Sequence, residues 1–320
     1  MGPLVDLINE AISGRRLAAT VVPEEFRRRV LDHPGFQAGG LLLGVEPGGR
    51  LLGAVHAIVP PVSIPRYASL AGQGFIFGPY VRREARAQGV GRGLLTEAER
   101  VLREHCRSAS VHGLRAPFYH WQEGPRQPYC GSTEMIGLSI ADGSLLDFLA
   151  AAGYRPAAEQ EVSLVAPLHR SERKLPVVEG LCFVRVSGER PWPGPVAWVA
   201  GEEAGYGYER YGPMAYDTLA VVRAETILGH CQWYPMRQAG RAALYDLRLD
   251  ASLRGRGLGK ALLEGGLAAM AKAGYRETEL HASPERNSVA IRMYQRLGFR
   301  EVAHWIALEK RLRSPISSIR

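Results

Sequence analysis

Cysteine is scarce in this chain: Cys106, Cys130, Cys182 and Cys231 are its only four, and none stands in a C-x-x-C pair. Scattered thiols of this kind exclude a zinc ribbon, a dithiol redox centre and a disulfide framework, and fit reduced cysteines in a cytoplasmic protein. Long apolar runs are missing as well. No stretch approaches the ~18 uninterrupted apolar residues of a membrane span, and no basic segment followed by an apolar run reads as a secretory leader. Aromatics make up only 8% of residues, and no dense Lys/Arg block has aromatics interleaved with it. The formal net charge of +8 therefore does not argue for nucleic acid, since a polyanionic small ligand explains it equally well. The charge is uneven, +2 through residue 170 and +6 beyond it, the excess including Arg254, Arg256, Lys260, Arg311, Arg313 and Arg320.

What is present is a 320-residue chain, 46% hydrophobic and 22% charged, a globular composition at a length comfortable for two domains. Glycine is plentiful, and its most informative cluster is Arg254-Gly255-Arg256-Gly257-Leu258-Gly259-Lys260. This stretch follows the strand-like run Ala242–Leu249 and opens an apolar pattern of helical period from Leu258 to about Ala273. A glycine-rich turn at a helix start points several N–H groups outward at the positive end of the helix dipole. Such a turn is a socket for a phosphorylated ligand. The same word occurs 168 residues earlier as Arg86-Ala87-Gln88-Gly89-Val90-Gly91-Arg92, which points to a duplicated domain.

Periodicity orders the elements around each turn. In the first half, Pro23–Leu31 reads as a helix. Gly40–Val45 and Leu51–Val59 read as strands joined at Glu46-Pro47-Gly48-Gly49, and Gly74–Val81 as a third strand. After the turn, Leu94, Leu95, Ala98, Val101 and Leu102 recur at helical spacing; Ser108–Leu114 is a strand and Arg115–Ile136 an irregular piece. Asp142–Ala152 is a helix ended by Gly153-Tyr154, and Glu161–Ala166 a closing strand. A charged, non-periodic linker, His169–Pro176, separates the expected domains, residues 1–170 and 171–320. The second half repeats the order: strands Asp217–Arg223, Thr226–Tyr234 and Ala242–Leu249, the socket and its helix, strand Thr278–Ala282, helix Ser288–Leu297, and closing strand Val302–Glu309. The expected class is α+β, or mixed α/β, with a partly antiparallel sheet.

The spacing of the turn discriminates among ligands. A Walker loop needs G-x-x-x-x-G-K-[ST], whereas Gly255 and Gly259 enclose three residues and Ala261 stands at the hydroxyl position. A dinucleotide fold needs G-x-G-x-x-G, and its third glycine is Lys260 here and Leu94 in the first half. The pattern that fits is [QR]-x-x-G-x-[GA], supplied by Arg254, Gly257 and Gly259, and again by Arg86, Gly89 and Gly91. Residues Asn287 to Phe299 then match N-x-x-A-x-x-x-Y-x-x-x-G-[FY]. With two signatures in order, the chain resembles the GCN5-related N-acetyltransferase superfamily. Two such domains in this length look like tandem members of the mycothiol synthase type, although no residue points to that substrate.

The resemblance implies two tandem domains, each a twisted, mostly antiparallel sheet flanked by helices, and acetyl-CoA as cosubstrate. It implies direct attack by an amine without an acyl-enzyme, and the chain offers no convincing nucleophile–base pair. By motif position, Arg254, Gly255, Arg256, Gly257, Leu258, Gly259 and Lys260 would grip the pyrophosphate. Leu247 and Leu249 would offer backbone groups to the pantetheine and thioester oxygen, Asn287 would bond the pantetheine arm, and Tyr294 would protonate the departing sulfur. For the base, strand alternation selects Asp246, which leaves the opposite face from Leu247; Glu279 and His281 are the other candidates. Trp192, Trp198, Tyr206, Tyr208, Tyr211 and Tyr216 would wall an acceptor site or form a satellite core.

The first half departs from the pattern. Its turn is intact, so Arg86, Gly89 and Gly91 imply retained CoA binding, but Leu149 stands where Tyr294 stands and Asp142 where Asn287 stands. Pro79 stands where Leu247 stands and has no N–H to donate. The expectation is an acetyl-CoA-dependent N-acetyltransferase acting through the second domain on an amine of a small molecule or peptide, with neither membrane nor nucleic acid as partner. The alternative is a non-catalytic CoA-binding sensor or scaffold.

Overall fold

The structure, a computed structural model, describes residues 1–14, 17–112, 117–119, 137–170, 175–186 and 217–312. These residues form two compact units: those before residue 162 together with those from Ala303 onward make unit 1, and Val162–Val302 make unit 2.

Unit 1 opens with α1 (Gly2–Ile12), a helix absent from the sequence reading, whose Leu4, Val5, Leu7, Ile8 and Ile12 are buried at helical spacing. Next come α2 (Pro23–Phe26), which continues as a π-helical turn over Arg27–Leu31, and the hairpin β1 (Leu41–Val45) and β2 (Leu51–Ile58). Strand β3 (Gln73–Val81) leads through the first glycine turn into α3 (Val90–Arg103), and β4 (Ser108–Val111) returns parallel to β3. The short β5 (Leu138–Ser139), α4 (Gly143–Ala151) and the start of β6 (Arg155–Pro167) follow. Leu94, Leu95, Ala98 and Leu102 of α3 pack on Val55 and Ile76 of the sheet.

Unit 2 holds the end of β6, β7 (Cys182–Val186), β8 (Asp217–Arg223), β9 (Thr226–Pro235) and β10 (Arg241–Leu249). The second glycine turn leads into α5 (Leu258–Lys272), then β11 (Glu277–Ala282), parallel to β10, and α6 (Ser288–Arg296). Its core joins Leu258, Leu262 and Met270 of α5 to Cys231 and Trp233 of β9 and Leu280 of β11. At Gly266, α5 approaches Cys231 so closely that a Cβ there would collide with the thiol.

The closing strands are exchanged relative to the sequence order. Residues 162–167 of β6 pair antiparallel with β11 inside unit 2, and the last strand, β12 (Arg300–Arg311), pairs antiparallel with β4 and β5 inside unit 1. Unit 1 thus reads β1-β2-β3-β4-β12-β6 and unit 2 reads β6-β11-β10-β9-β8-β7. Ile306 and Leu308 enter the unit 1 core, while Lys310 Nζ bonds Glu99 Oε1 on α3 and the Ala152 carbonyl beyond α4, at 2.7 and 2.8 Å. Alternating side chains announce a half-buried strand but not the sheet it completes.

Both units open the same gap. The parallel pair in unit 1 ends at Ile76↔Val111 and in unit 2 at Ala243↔Glu279, although β3 and β10 both run on. In each, the strand that leads to the turn carries a register shift against its antiparallel neighbour: Phe77 and Tyr80 of β3 face His56 and Ala54 of β2, and Leu244 and Asp246 of β10 face Trp233 and Gln232 of β9. A bulge bends its strand and increases the local twist. The parallel strands therefore splay, and each glycine turn lies at the end of a splayed strand.

Candidate active site

The two turns share one backbone conformation. Gly257 starts α5 at φ +75° and Gly89 starts α3 at φ +86°. Gly255 has φ +77°, and its counterpart is Ala87 at φ +59°, a left-handed alanine. A Cβ built on Gly255 or Gly257 meets nothing within 4 Å, so the space in front of the turn is open. The first intrahelical bond of α5 is donated by Ala261 to the Gly257 carbonyl at 3.1 Å. Leu258, Gly259 and Lys260 precede it, and their amides have no partner one turn back. Leu258 buries its side chain in the core, whereas Arg256 and Lys260 are exposed.

The leading arginine of each turn folds back. Arg254 Nε donates to the Leu249 carbonyl and Arg86 Nε to the Val81 carbonyl, both at 3.1 Å. These arginines brace strand end against turn, a role that motif matching did not reveal. Unit 2 adds Asp250, whose Oδ1 accepts the Ser252 amide at 2.9 Å; the Ser252 hydroxyl and amide hold that carboxyl below its usual range. In unit 1, Glu10 of α1 performs the bracing. It accepts the Arg83 amide and the Arg82 guanidinium at 3.1 and 2.7 Å, which hold its carboxyl low.

Asp246 belongs to a cluster across β9 and β10. Its Oδ2 lies 2.8 Å from His230 Nε2 and 3.1 Å from Arg248 Nε. His230 is fully buried; burial and then the Arg248 charge depress its pKa to about 3, so the ring is neutral. A neutral imidazole facing a carboxylate through Nε2 carries its proton there and donates it. Neither His230 nor Arg248 was singled out from sequence. Their signal was the period of two, with His230 and Gln232 alternating with buried Cys231 and Trp233 on the other face.

Glu279 and His281 sit together on β11 and are sealed, with side chains 0% and 1% exposed against 19% for Asp246. His281 Nε2 lies 2.7 Å from Ser163 Oγ and 3.3 Å from Glu279 Oε1, and Arg241 approaches Glu279 at 3.8 Å. Tyr294, on α6, is also buried, its ring 5.6 Å from that of Phe299. Burial, then Cys231 and Asp246, raises the phenol well above its ordinary pKa. Asn287 is exposed; its Oδ1 accepts the Ser283 amide at 3.0 Å and closes the loop that starts α6. Leu247 and Leu249 lie half-buried against the unit 2 core. Trp192, Trp198, Tyr206, Tyr208, Tyr211 and Tyr216 lie outside the described residues.

Unit 1 carries a cavity of about 710 Å³ at its turn. It is lined by Arg86, Ala87, Gly89, Gly91 and Arg92, by Pro79 to Val81 on β3, by His112, and by Asp142 and Phe148 at α4. Leu149, at the Tyr294 position, is fully buried in the unit 1 core.

Residues 11–117 and 189–299 each match the model of the acetyltransferase (GNAT) family. A mycothiol acetyltransferase of Actinosynnema mirum is 37% identical over 81 residues, 25% of this chain and 27% of that protein. A mycothiol acetyltransferase of Clavibacter sepedonicus is 39% identical over 64 residues, 20% of this chain and 21% of that protein. The matched stretches thus span about a quarter of those curated relatives. Among solved structures, a tandem GNAT protein from the clavulanic acid biosynthesis pathway aligns with TM-score 0.65 and 18% identity over 98% of this chain and 94% of its own. A GCN5-related N-acetyltransferase from Sphaerobacter thermophilus aligns with TM-score 0.60 and 20% identity over 98% and 93%. At these identities the structural likeness concerns the fold. No helix among the described residues is long and apolar enough to cross a membrane.

Proposed function

The chain belongs to the acetyltransferase (GNAT) family, and on that premise we propose that it is an acetyl-CoA-dependent N-acetyltransferase whose second sequence module, residues 171–320, is catalytic. The observation that carries this reading is the unit 2 turn. Unpaired helix amides, glycines with open space before them and two exposed cations fit a pyrophosphate. When bound there, acetyl-CoA supplies the activated acyl group. Gly255 to Lys260 hold its pyrophosphate, while Arg254 keeps the turn in place. The backbone of Leu247 and Leu249 on splayed β10 lines the pantetheine arm, and Asn287, its oxygen already committed to Ser283, has its amide hydrogens to donate.

In the transfer, the acceptor nitrogen bonds the thioester carbon, the carbon–sulfur bond breaks, and the proton lost by nitrogen is balanced by one gained by sulfur. We assign the first proton to Asp246, directly or through water. Its exposure supports this, because Glu279 and His281 are sealed from any acceptor. We assign the second to Tyr294, a buried phenol that is protonated and has a hydrogen to give as charge develops on sulfur. The acceptor is an amine of a small molecule or peptide.

The cavity beside the first turn supports CoA binding by Arg86, Gly89 and Gly91 in unit 1, without catalysis. If both units only bound cofactor, the chain would be a sensor or scaffold. The deciding experiment measures free CoA released from acetyl-CoA in the presence of metabolite and peptide amines, including mycothiol-related ones. The full chain should release CoA with at least one amine, and Arg256→Glu with Lys260→Glu should abolish it. No release across the panel would favour the sensor.

A further inference from the structure

We propose that the unit 1 cavity binds CoA and its acyl thioesters alike, because His112 occupies the strand amide that would otherwise read the acyl end. This rests on the reading that the first glycine turn holds CoA. Where β3 and β4 part, the amides of β3 beyond the end of the parallel pairing are the groups available to polarise a thioester oxygen. Pro79, which lines the cavity, has none. The preceding amide, Gly78 N–H, donates to His112 Nε2 at 3.1 Å.

His112 is held in that position. It immediately follows β4, its own amide bonds the Ile76 carbonyl at 3.0 Å, and its φ is +50°, a left-handed conformation costly for histidine. Its ring stacks on Phe77, with centroids 4.5 Å apart, and Phe77 stacks on Tyr119 at 3.7 Å. The Tyr119 hydroxyl is 3.0 Å from His56 Nδ1, and His56 stacks on Phe118. This ladder of buried rings holds His112 from the side of Phe77.

The contrast with unit 2 is internal to the chain. Strand registers Gln73↔Ser108 and Arg241↔Glu277 make His112 the counterpart of His281. His281 turns to Ser163 and Glu279. The same residue type at the same register therefore engages the strand amide in one unit and a side-chain cluster in the other. Beyond the end of the parallel pairing, Gly78 has its amide engaged by His112 and Pro79 has none, so a site that grips pyrophosphate here reports the total pool of CoA species rather than its acetylated fraction.

The test uses the full chain carrying Arg256→Glu and Lys260→Glu, so that unit 1 is titrated alone by equilibrium dialysis. CoA and acetyl-CoA should bind with dissociation constants within about twofold of each other, a difference below 0.5 kcal/mol. Acetyl-CoA should be recovered intact, and adding Arg92→Glu should weaken both ligands together. Adding His112→Ala releases the Gly78 amide and should shift the ratio severalfold towards acetyl-CoA. A preference above about tenfold for either ligand before His112 is altered, or consumption of acetyl-CoA, would overturn the inference while leaving CoA binding by unit 1 intact. Loss of all binding in the unit 2 double variant would instead remove the underlying reading, and the inference with it.

Discussion

Two buried histidines give the chain a pH dependence that can be assigned to single residues. His56 and His230 both have pKa values depressed to about 3, His56 by burial and His230 by burial and then Arg248. Unfolded histidine titrates near 6.5, so below that pH the unfolded chain takes up protons that the folded one refuses. Stability is complete above pH 6.5 and falls as pH drops towards 3, by about 2 kcal/mol per histidine at pH 5. Glu10 and Asp250, whose carboxyls are held below their ordinary range, add a further loss only as pH falls through the carboxylate range, below about pH 5. Urea unfolding at pH 7 and pH 5 should show the loss, and His56→Gln with His230→Gln should flatten it. An unchanged slope in the double variant would refute the assignment. Tyr294 is tested by kinetics: Tyr294→Phe should lower kcat at least ~10²-fold, with little change in KM for acetyl-CoA, if the phenol is the acid. Equal kcat for both proteins would move that role elsewhere.

At the scale of the element, the strand–turn–helix unit was legible because its determinants are local. Gly257 at the helix start, Leu258, Leu262 and Met270 on one face, and the alternation of β10 all lie within 30 residues of one another. The same locality makes Ala87 informative: unit 1 accepts a left-handed alanine where unit 2 has Gly255. Gly255→Ala, whose Cβ meets nothing, should therefore cost only about 1–2 kcal/mol. Gly266→Ala drives a methyl into Cys231 and should cost about 1–3 kcal/mol by overpacking α5 against β9. Thermal melts should show both variants destabilised, and an unchanged melting temperature for Gly266→Ala would contradict the packing described for α5. Helix α1 went unread although its apolar spacing was present. Its apolar stripe is local, but the contact of Glu10 with Arg82 and Arg83, far along the chain, is not.

For the whole molecule, the exchange of closing strands carries the most direct consequence. β12 comes last in sequence, yet Leu308 lies 3% exposed in the core of unit 1, paired with Val111 of β4. Leu308→Ala should cost about 2–5 kcal/mol and lower hydrogen-exchange protection first in β3 and β4. Loss of protection first in β10 and β11 would assign the strand to the other core. By itself, the sequence determined the duplication, the two glycine turns and their flanking strand and helix, because backbone conformation and apolar period are set by neighbours a few residues away. It also marked Tyr294 and Asn287 through fixed spacing on one helix. Tertiary structure alone decided which sheet each closing strand joins and that His230 faces Asp246. It also set His112 against Gly78 and His281 against Ser163. Those pairings join residues 16 to 118 positions apart, and a period of two or 3.6 says which face a side chain occupies, not which partner it will meet across that face.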